Sequence, residues 1–154
     1  MNILVVEDDE FKRHNVERLL LALRRATPKF AKSIVSALQC LEAQRDFDLI
    51  ILDMSLPTYD VGPEEAGGRP QGFGGLTVFQ HVEALDLSVP VVVLTQYATI
   101  GDGRDALDLE GLSAMLQADF PKLFLGIVYY SGGSDSWKEE LIALIGGVDE
   151  WSRR

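Results

Sequence analysis

The chain reads as an α/β protein built on a parallel sheet with helices on both faces, and three observations carry that prediction. Short runs that are apolar throughout, rather than alternating, recur along the chain, as expected for strands buried on both faces. Segments with helical spacing separate these runs, giving the strand and helix alternation of a doubly wound sheet. Two runs end in acids, Ile3-Leu-Val-Val-Glu-Asp-Asp9 and Asp48-Leu-Ile-Ile-Leu-Asp53-Met-Ser-Leu-Pro57, which puts carboxylates at the strand ends where open α/β sheets gather their chemistry.

Taken in order, strands are expected near 2–6, 31–35, 48–52, 90–95 and 123–130, and helices near 10–26, 36–45, 75–86, 108–118 and 136–146. The first helix carries Val16, Leu19, Leu20 and Leu23 at i, i+3, i+4 and i+7, and Pro28 follows its end. The second contains Cys40, the single cysteine; a lone thiol there is a small buried hydrophobe and excludes an internal disulfide. The segment 108–118 keeps helical apolar spacing despite Gly111. The last helix carries Trp137, Leu141, Leu144 and Ile145, with Ser136 and Glu139 as its capping box. His14 and His81 fall on helical segments without a partner at metal-ligand spacing and read as surface or packing residues.

The 154 residues suffice for one compact domain, and 47% hydrophobic with 25% charged residues is ordinary for a globular protein. A net charge of −10 opposes attraction to phosphate backbones, and no basic cluster exceeds Arg24-Arg25 or Arg153-Arg154, so direct nucleic-acid binding is not expected. The apolar runs are too short to span a bilayer and no charged leader precedes the first strand, which points to a cytoplasmic protein.

Glu7, Asp8 and Asp53 are candidates for one acidic pocket. Crowded carboxylates repel unless a cation neutralises them, and an all-oxygen set suits a hard ion such as magnesium. An aspartate beside such an ion is a candidate phosphoryl acceptor. Asp8 and Asp9 also suit the cap and first turn of a helix, and Thr95 taken alone is at home in a strand.

With Val89-Pro-Val-Val-Val-Leu-Thr95 added to the two acidic runs, the chain resembles the receiver domains of bacterial two-component response regulators over most of its length and in the family's order. The resemblance implies a flavodoxin-like sheet in the order 2-1-3-4-5 with five helices. It implies that Asp53 is the phosphoacceptor and Thr95 the hydroxyl that binds a phosphoryl oxygen. It also implies a magnesium ion held by Asp8, Asp53 and the Ser55 main-chain carbonyl, with Glu7 acting mostly through water, and a histidine kinase or phosphotransfer protein as donor.

Three departures from that family stand out. A glycine- and proline-rich insert follows the acceptor strand at about 58–75, expected to be an irregular loop that acts as a lid or docking element or is a tolerated insertion; it lacks the lysine and hydroxyl of a P-loop. The fourth-helix region is altered at about 100–120, with Ile100-Gly-Asp-Gly-Arg-Asp-Ala-Leu107 as a flexible lead. The fifth strand, Leu123-Phe-Leu-Gly-Ile-Val-Tyr-Tyr130, finishes with Tyr130-Ser131-Gly132-Gly133 where receivers have a lysine followed by a proline. Lys122 and Lys138 are poorly placed to replace that lysine. Tyr129 and Tyr130 read as packed strand aromatics, and Gln96 is larger than the residue usual after the threonine.

The expectation is therefore a stand-alone, non-enzymatic receiver that takes a phosphoryl group on Asp53 with magnesium and signals to an unknown protein by contact. The alternative is a pseudo-receiver that keeps the fold and binds partners without phosphorylation. A phosphohydrolase is disfavoured because no second aspartate lies just beyond Asp53.

Overall fold

The computed structural model describes residues 1–24, 26–60 and 72–151. The main sheet contains β1 (Asn2–Val6), β2 (Thr27–Ala31), β3 (Leu49–Leu52), β4 (Val91–Thr95) and β7 (Phe124–Tyr129), all parallel, in the order β2-β1-β3-β4-β7. With β7 as the fifth main strand, this is the flavodoxin-like order 2-1-3-4-5 expected from the sequence. The helices are α1 (Glu10–Ala22), α2 (Ile34–Ala43), α3 (Gly75–Ala84), α4 (Leu109–Asp119) and α5 (Ser136–Gly146), followed by a short α6 (Val148–Trp151).

The all-apolar strands bury both faces because helices cover both. Leu4, Val6, Ile50, Leu52, Val91 and Val93 pack with residues of α2, α3 and α4, whereas Ile3, Val5, Leu49, Ile51, Val92 and Leu94 pack with residues of α1 and α5. Alternate residues of one strand thus serve two cores, as the period of two requires.

The second strand lies four residues earlier than expected, at 27–31, and contains Pro28. Proline lacks the N–H needed inside a sheet but is tolerated at an edge, and β2 is an edge strand that pairs with β1 alone. The preceding helix accordingly ends at Ala22 rather than near 26, with Arg24 in the left-handed region at φ 58°. The residues Ser33-Ile34-Val35 open α2 instead of closing a strand. Ser33 Oγ accepts the Ser36 N–H, and Ser36 Oγ accepts the Ser33 N–H, a reciprocal cap that outweighs the β preference of Ile34 and Val35.

Two other local expectations are corrected. Ser136 and Glu139 do not form the capping box of α5: Ser136 is already helical, and its N–H donates to Ser134 Oγ at 3.2 Å. The lead into α4 is also ordered, with β5 (Thr99–Ile100) and β6 (Leu107–Asp108) forming a small antiparallel pair around a 3₁₀ turn at Gly103–Asp105. Ile100 is buried in the core, which anchors the pair, and Gly101 supplies the positive φ of 89° that its turn needs. Most of the glycine-rich insert, residues 61–71, lies outside the described residues.

Candidate phosphoacceptor pocket

Parallel register brings the acids together. Val6 pairs with Leu52, and the Asp53 N–H donates to the Val6 carbonyl at 3.0 Å. Glu7 and Asp53 are consequently the first residues beyond two adjacent strand ends. The Glu7 N–H is in turn held by the Ala31 carbonyl of β2 at 2.9 Å. One carboxylate oxygen from each of Glu7, Asp8 and Asp53 lies within 4.8 Å of the others. Glu7 and Asp53 are buried and Asp8 is half-buried.

The three acids do different local work. Asp9, rather than Asp8, caps α1 by accepting the Lys12 N–H at 2.8 Å, which leaves Asp8 available to the pocket. Glu7 Oε1 accepts the Asp9 N–H at 3.0 Å. Asp53 Oδ1 takes a long hydrogen bond of 3.3 Å from the Ser55 N–H, while Asp53 Oδ2 is buried and has no hydrogen-bond partner among the described residues. Ser55 stands on the loop leaving β3. Behind it Gly75 opens α3 so close to the acceptor that an added Cβ would lie 2.9 Å from the Asp53 carbonyl oxygen. The Gly75 N–H also donates to the Met54 carbonyl at 2.9 Å.

The cation missing from the end of the fifth main strand is supplied from elsewhere. Lys12, on the first turn of the pocket's own helix α1, is 1% exposed, and its Nζ lies 2.5 Å from Glu7 Oε2 and 3.8 Å from Asp53 Oδ2. The same ammonium donates to the Leu94 carbonyl at 2.7 Å and to Gln96 Oε1 at 2.8 Å. Tyr130, at the place of the absent lysine, puts its ring 5.8 Å from Lys12 Nζ, and its hydroxyl accepts from Asn15 Nδ2 at 2.8 Å. Lys138 pairs instead with Asp135 at 3.1 Å. Sequence reasoning missed Lys12, although the spacing held a signal: Lys12 precedes Val16 and Leu20 by four and eight residues, on the buried stripe of α1.

Electrostatically the pocket is short of positive charge. Burial pushes Glu7 up to about 8, against the opposing pull of Lys12. Burial likewise raises Asp8 and Asp53, with Lys12 and the Ser55 N–H working the other way at Asp53. With all three acids ionised, one lysine leaves two negative charges, the number that one divalent cation cancels. The donor set is all oxygen and includes a buried, unbonded carboxylate oxygen, so these residues fit a hard cation such as magnesium.

Thr95 ends β4 with its side chain buried, and its Oγ1 accepts the Tyr97 N–H at 3.1 Å. Gln96 turns toward Lys12. Tyr129 is exposed, whereas Tyr130 is buried against Trp137 at a centroid distance of 4.9 Å. A depression of about 300 Å³ beside the acceptor loop is lined by Ser55, Gly72, Tyr97, Thr99, Ile100, Gly101 and Asp102.

Comparison with known proteins points the same way as the geometry. No protein-family model matches the chain. A Detocs response regulatory protein, DtcB, of Enterobacter cloacae (strain JD6301) is 23% identical over 145 residues, covering 92% of this chain and 97% of that protein. The DtcB of Vibrio alginolyticus is 26% identical over 147 residues, covering 93% and 98%. Among solved structures, a CheY-like receiver domain protein from Methanospirillum hungatei JF-1 superposes with a TM-score of 0.65 at 14% identity, covering 99% of this chain and 96% of that one. The receiver domain of sensor histidine kinase PA1611 from Pseudomonas aeruginosa PAO1, with magnesium coordinated in its active-site cleft, gives 0.63 at 21% identity and coverages of 96% and 97%.

The chain has the fold of response regulator receiver domains and is similar over nine-tenths of its length to response regulatory proteins. The receiver fold places Glu7, Asp8 and Asp53 at one point and Thr95 at the end of the neighbouring strand. Here a lysine reaches the pocket from α1 rather than from the end of the fifth main strand. No helix among the described residues is long and apolar enough to cross a membrane.

Proposed function

We propose that this receiver accepts a phosphoryl group on Asp53 in a magnesium-dependent two-component relay and passes the signal on by protein contact. The observation that carries the reading is the buried Asp53 carboxylate, with one oxygen unbonded, facing an ammonium and flanked by two further acids. Glu7, Asp8, Asp53 and the Ser55 main-chain carbonyl would hold magnesium. When bound, that ion supplies the positive charge that offsets the negative charge of the incoming phosphoryl group. Asp53 is the nucleophile, held at the strand end by its N–H bond to Val6. The Thr95 hydroxyl, now engaged with the Tyr97 N–H, is the group that would bind a phosphoryl oxygen and so link the pocket to the segment containing β5 and β6.

The donor we propose is a histidine kinase or phosphotransfer protein. A structural neighbour supports this: CheY6 from R. sphaeroides, solved in complex with the P1 domain of CheA3, superposes with a TM-score of 0.65 at 20% identity, covering 97% of this chain and 96% of that one. The output is a protein partner met on the altered face from Tyr97 to α4, with Gly72 beside it, and the chain works in the cytoplasm as a signalling module rather than as an enzyme. A second reading has one specific observation in its favour. Lys12 already gives the acids a built-in cation, as a phosphorylation-independent pseudo-receiver would need.

The two readings part in one experiment, in which the protein is incubated with magnesium and phosphoramidate and its intact mass is measured for wild type and Asp53→Asn. One added phosphoryl mass, absent from the variant, supports the relay reading. An unlabelled wild type that still binds magnesium supports the pseudo-receiver.

A further inference from the structure

We infer that Lys12 is the cation that binds the phosphoryl group on Asp53, so that the first helix supplies the positive charge of this pocket. The inference rests on Asp53 being the acceptor. An ammonium has three N–H donors, and those of Lys12 go to Glu7 Oε2, the Leu94 carbonyl and Gln96 Oε1. Asp53 Oδ2, at 3.8 Å, is therefore close enough to feel the charge but receives no hydrogen bond from the described residues. The resting pocket holds its cation in reserve beside the acceptor.

Transfer changes the balance. An Asp53 carboxylate oxygen forms a bond to phosphorus, the P–N bond of a phosphohistidine or phosphoramidate donor breaks, and the departing nitrogen keeps the electron pair and takes a proton from solvent. The acceptor's single negative charge becomes a dianionic phosphoryl group, so the pocket gains one negative charge. A charge-assisted bond from Lys12 to a phosphoryl oxygen then becomes the strongest available to it. One existing acceptor must yield. The Leu94 carbonyl is fixed in β4, and Glu7 is the nearest countercharge, whereas Gln96 offers only a neutral side-chain amide on the loop after β4. Release of Gln96 passes the event directly to the residue before Tyr97, whose N–H is held by Thr95.

The test measures labelling by phosphoramidate, and separately the affinities for magnesium and for beryllofluoride, in wild type, Lys12→Met and Lys12→Gln. Thermal melts show which variants are folded, and Lys12→Gln, which keeps a hydrogen-bonding group at the pocket, serves if Lys12→Met does not fold. The expected result is labelling at least tenfold slower than wild type and beryllofluoride binding at least tenfold weaker, with magnesium affinity unchanged or tighter. That split separates phosphoryl binding from general support of the pocket. Equal losses of magnesium and beryllofluoride affinity would mean that Lys12 only props up the acids, and overturn the inference. Wild-type labelling and beryllofluoride affinity in the variants would overturn it too, while leaving Asp53 as acceptor. A wild type that takes no label removes the acceptor reading and the role of Lys12 together.

Discussion

Replacing Lys12 by Met removes a buried ammonium from between two buried carboxylates, and the consequence for stability follows from the contacts. Breaking one side of a buried ion pair costs roughly 3–5 kcal/mol, because the partner charge is left without compensation. Here the partner is cushioned: burial holds Glu7 at about 8 even beside Lys12, so at pH 7 it is already largely protonated and little bare charge is stranded when the ammonium goes. The expected cost is therefore at the lower end, about 3 kcal/mol, which for a domain of this size is a fall of roughly 6–12 °C in Tm. Thermal unfolding followed by circular dichroism without divalent ions measures it directly. Two further comparisons probe the cause. Adding Glu7→Gln to Lys12→Met removes the remaining titratable partner, and should leave the double variant no less stable than Lys12→Met and with a weaker dependence on pH. Raising the pH should widen the gap between Lys12→Met and wild type, because Glu7 without its ammonium resists ionisation still more strongly. A melt within the error of wild type, or a double variant less stable than Lys12→Met, would refute the account of Lys12 as the compensating charge.

Other perturbations test separate parts of the structure. The folded-state values of Glu7, Asp8 and Asp53 are all raised, so their contribution to stability is full below about pH 4 and is lost as pH rises toward the value of about 8 for Glu7; the metal-free protein should melt at progressively lower temperature from pH 5 to pH 8, and millimolar magnesium should flatten that slope. Gly75→Ala would set a Cβ 2.8 Å from Met54 Sδ and 2.9 Å from the Asp53 carbonyl oxygen. Since the backbone oxygen cannot swing aside, α3 must retreat, and denaturant titration should show a loss of about 1–3 kcal/mol. Ser33→Ala deletes the cap of α2 and the 2.5 Å hydrogen bond from its hydroxyl to Asp60 Oδ1; a loss of about 1 kcal/mol in the same titration is expected.

How much of this was legible in the sequence depended on whether the deciding interaction was local or distant. The meeting of Glu7, Asp8 and Asp53 could be read because all-apolar runs ending in acids specify both the buried sheet and the carboxyl ends of its strands, while the strand order came from the resemblance to receivers. Boundaries failed where one side chain reversed a propensity. Ser33 turned a β-branched pair into the start of α2, and Pro28 looked like a helix terminator until its edge position made it an acceptable strand residue. The β5–β6 pair was hidden because its anchor, Ile100, stands alone among glycines and charges, and only the folded core shows that it is buried.

Lys12 is the instructive omission. A search for the missing lysine along the fifth strand and its loop finds Lys122 and Lys138 and stops, because it assumes that a charge must enter the pocket from the element that usually carries it. The pocket imposes no such condition. Any lysine whose stem can lie along apolar surface while its ammonium reaches the acids will serve. A helix that begins two residues after the acidic pair brings its first buried position back over them, and in α1 that position is Lys12, in line with Val16 and Leu20. A lysine on the apolar stripe of a helix has to find a countercharge or destabilise the fold. Of the acids this helix could reach, those at the ends of β1 and β3 are the ones the sheet has already gathered there. The periodicity of α1 and the acids of β1 were both visible; joined, they place the cation at Asp53 from a side of the pocket that comparison with ordinary receivers leaves unsearched.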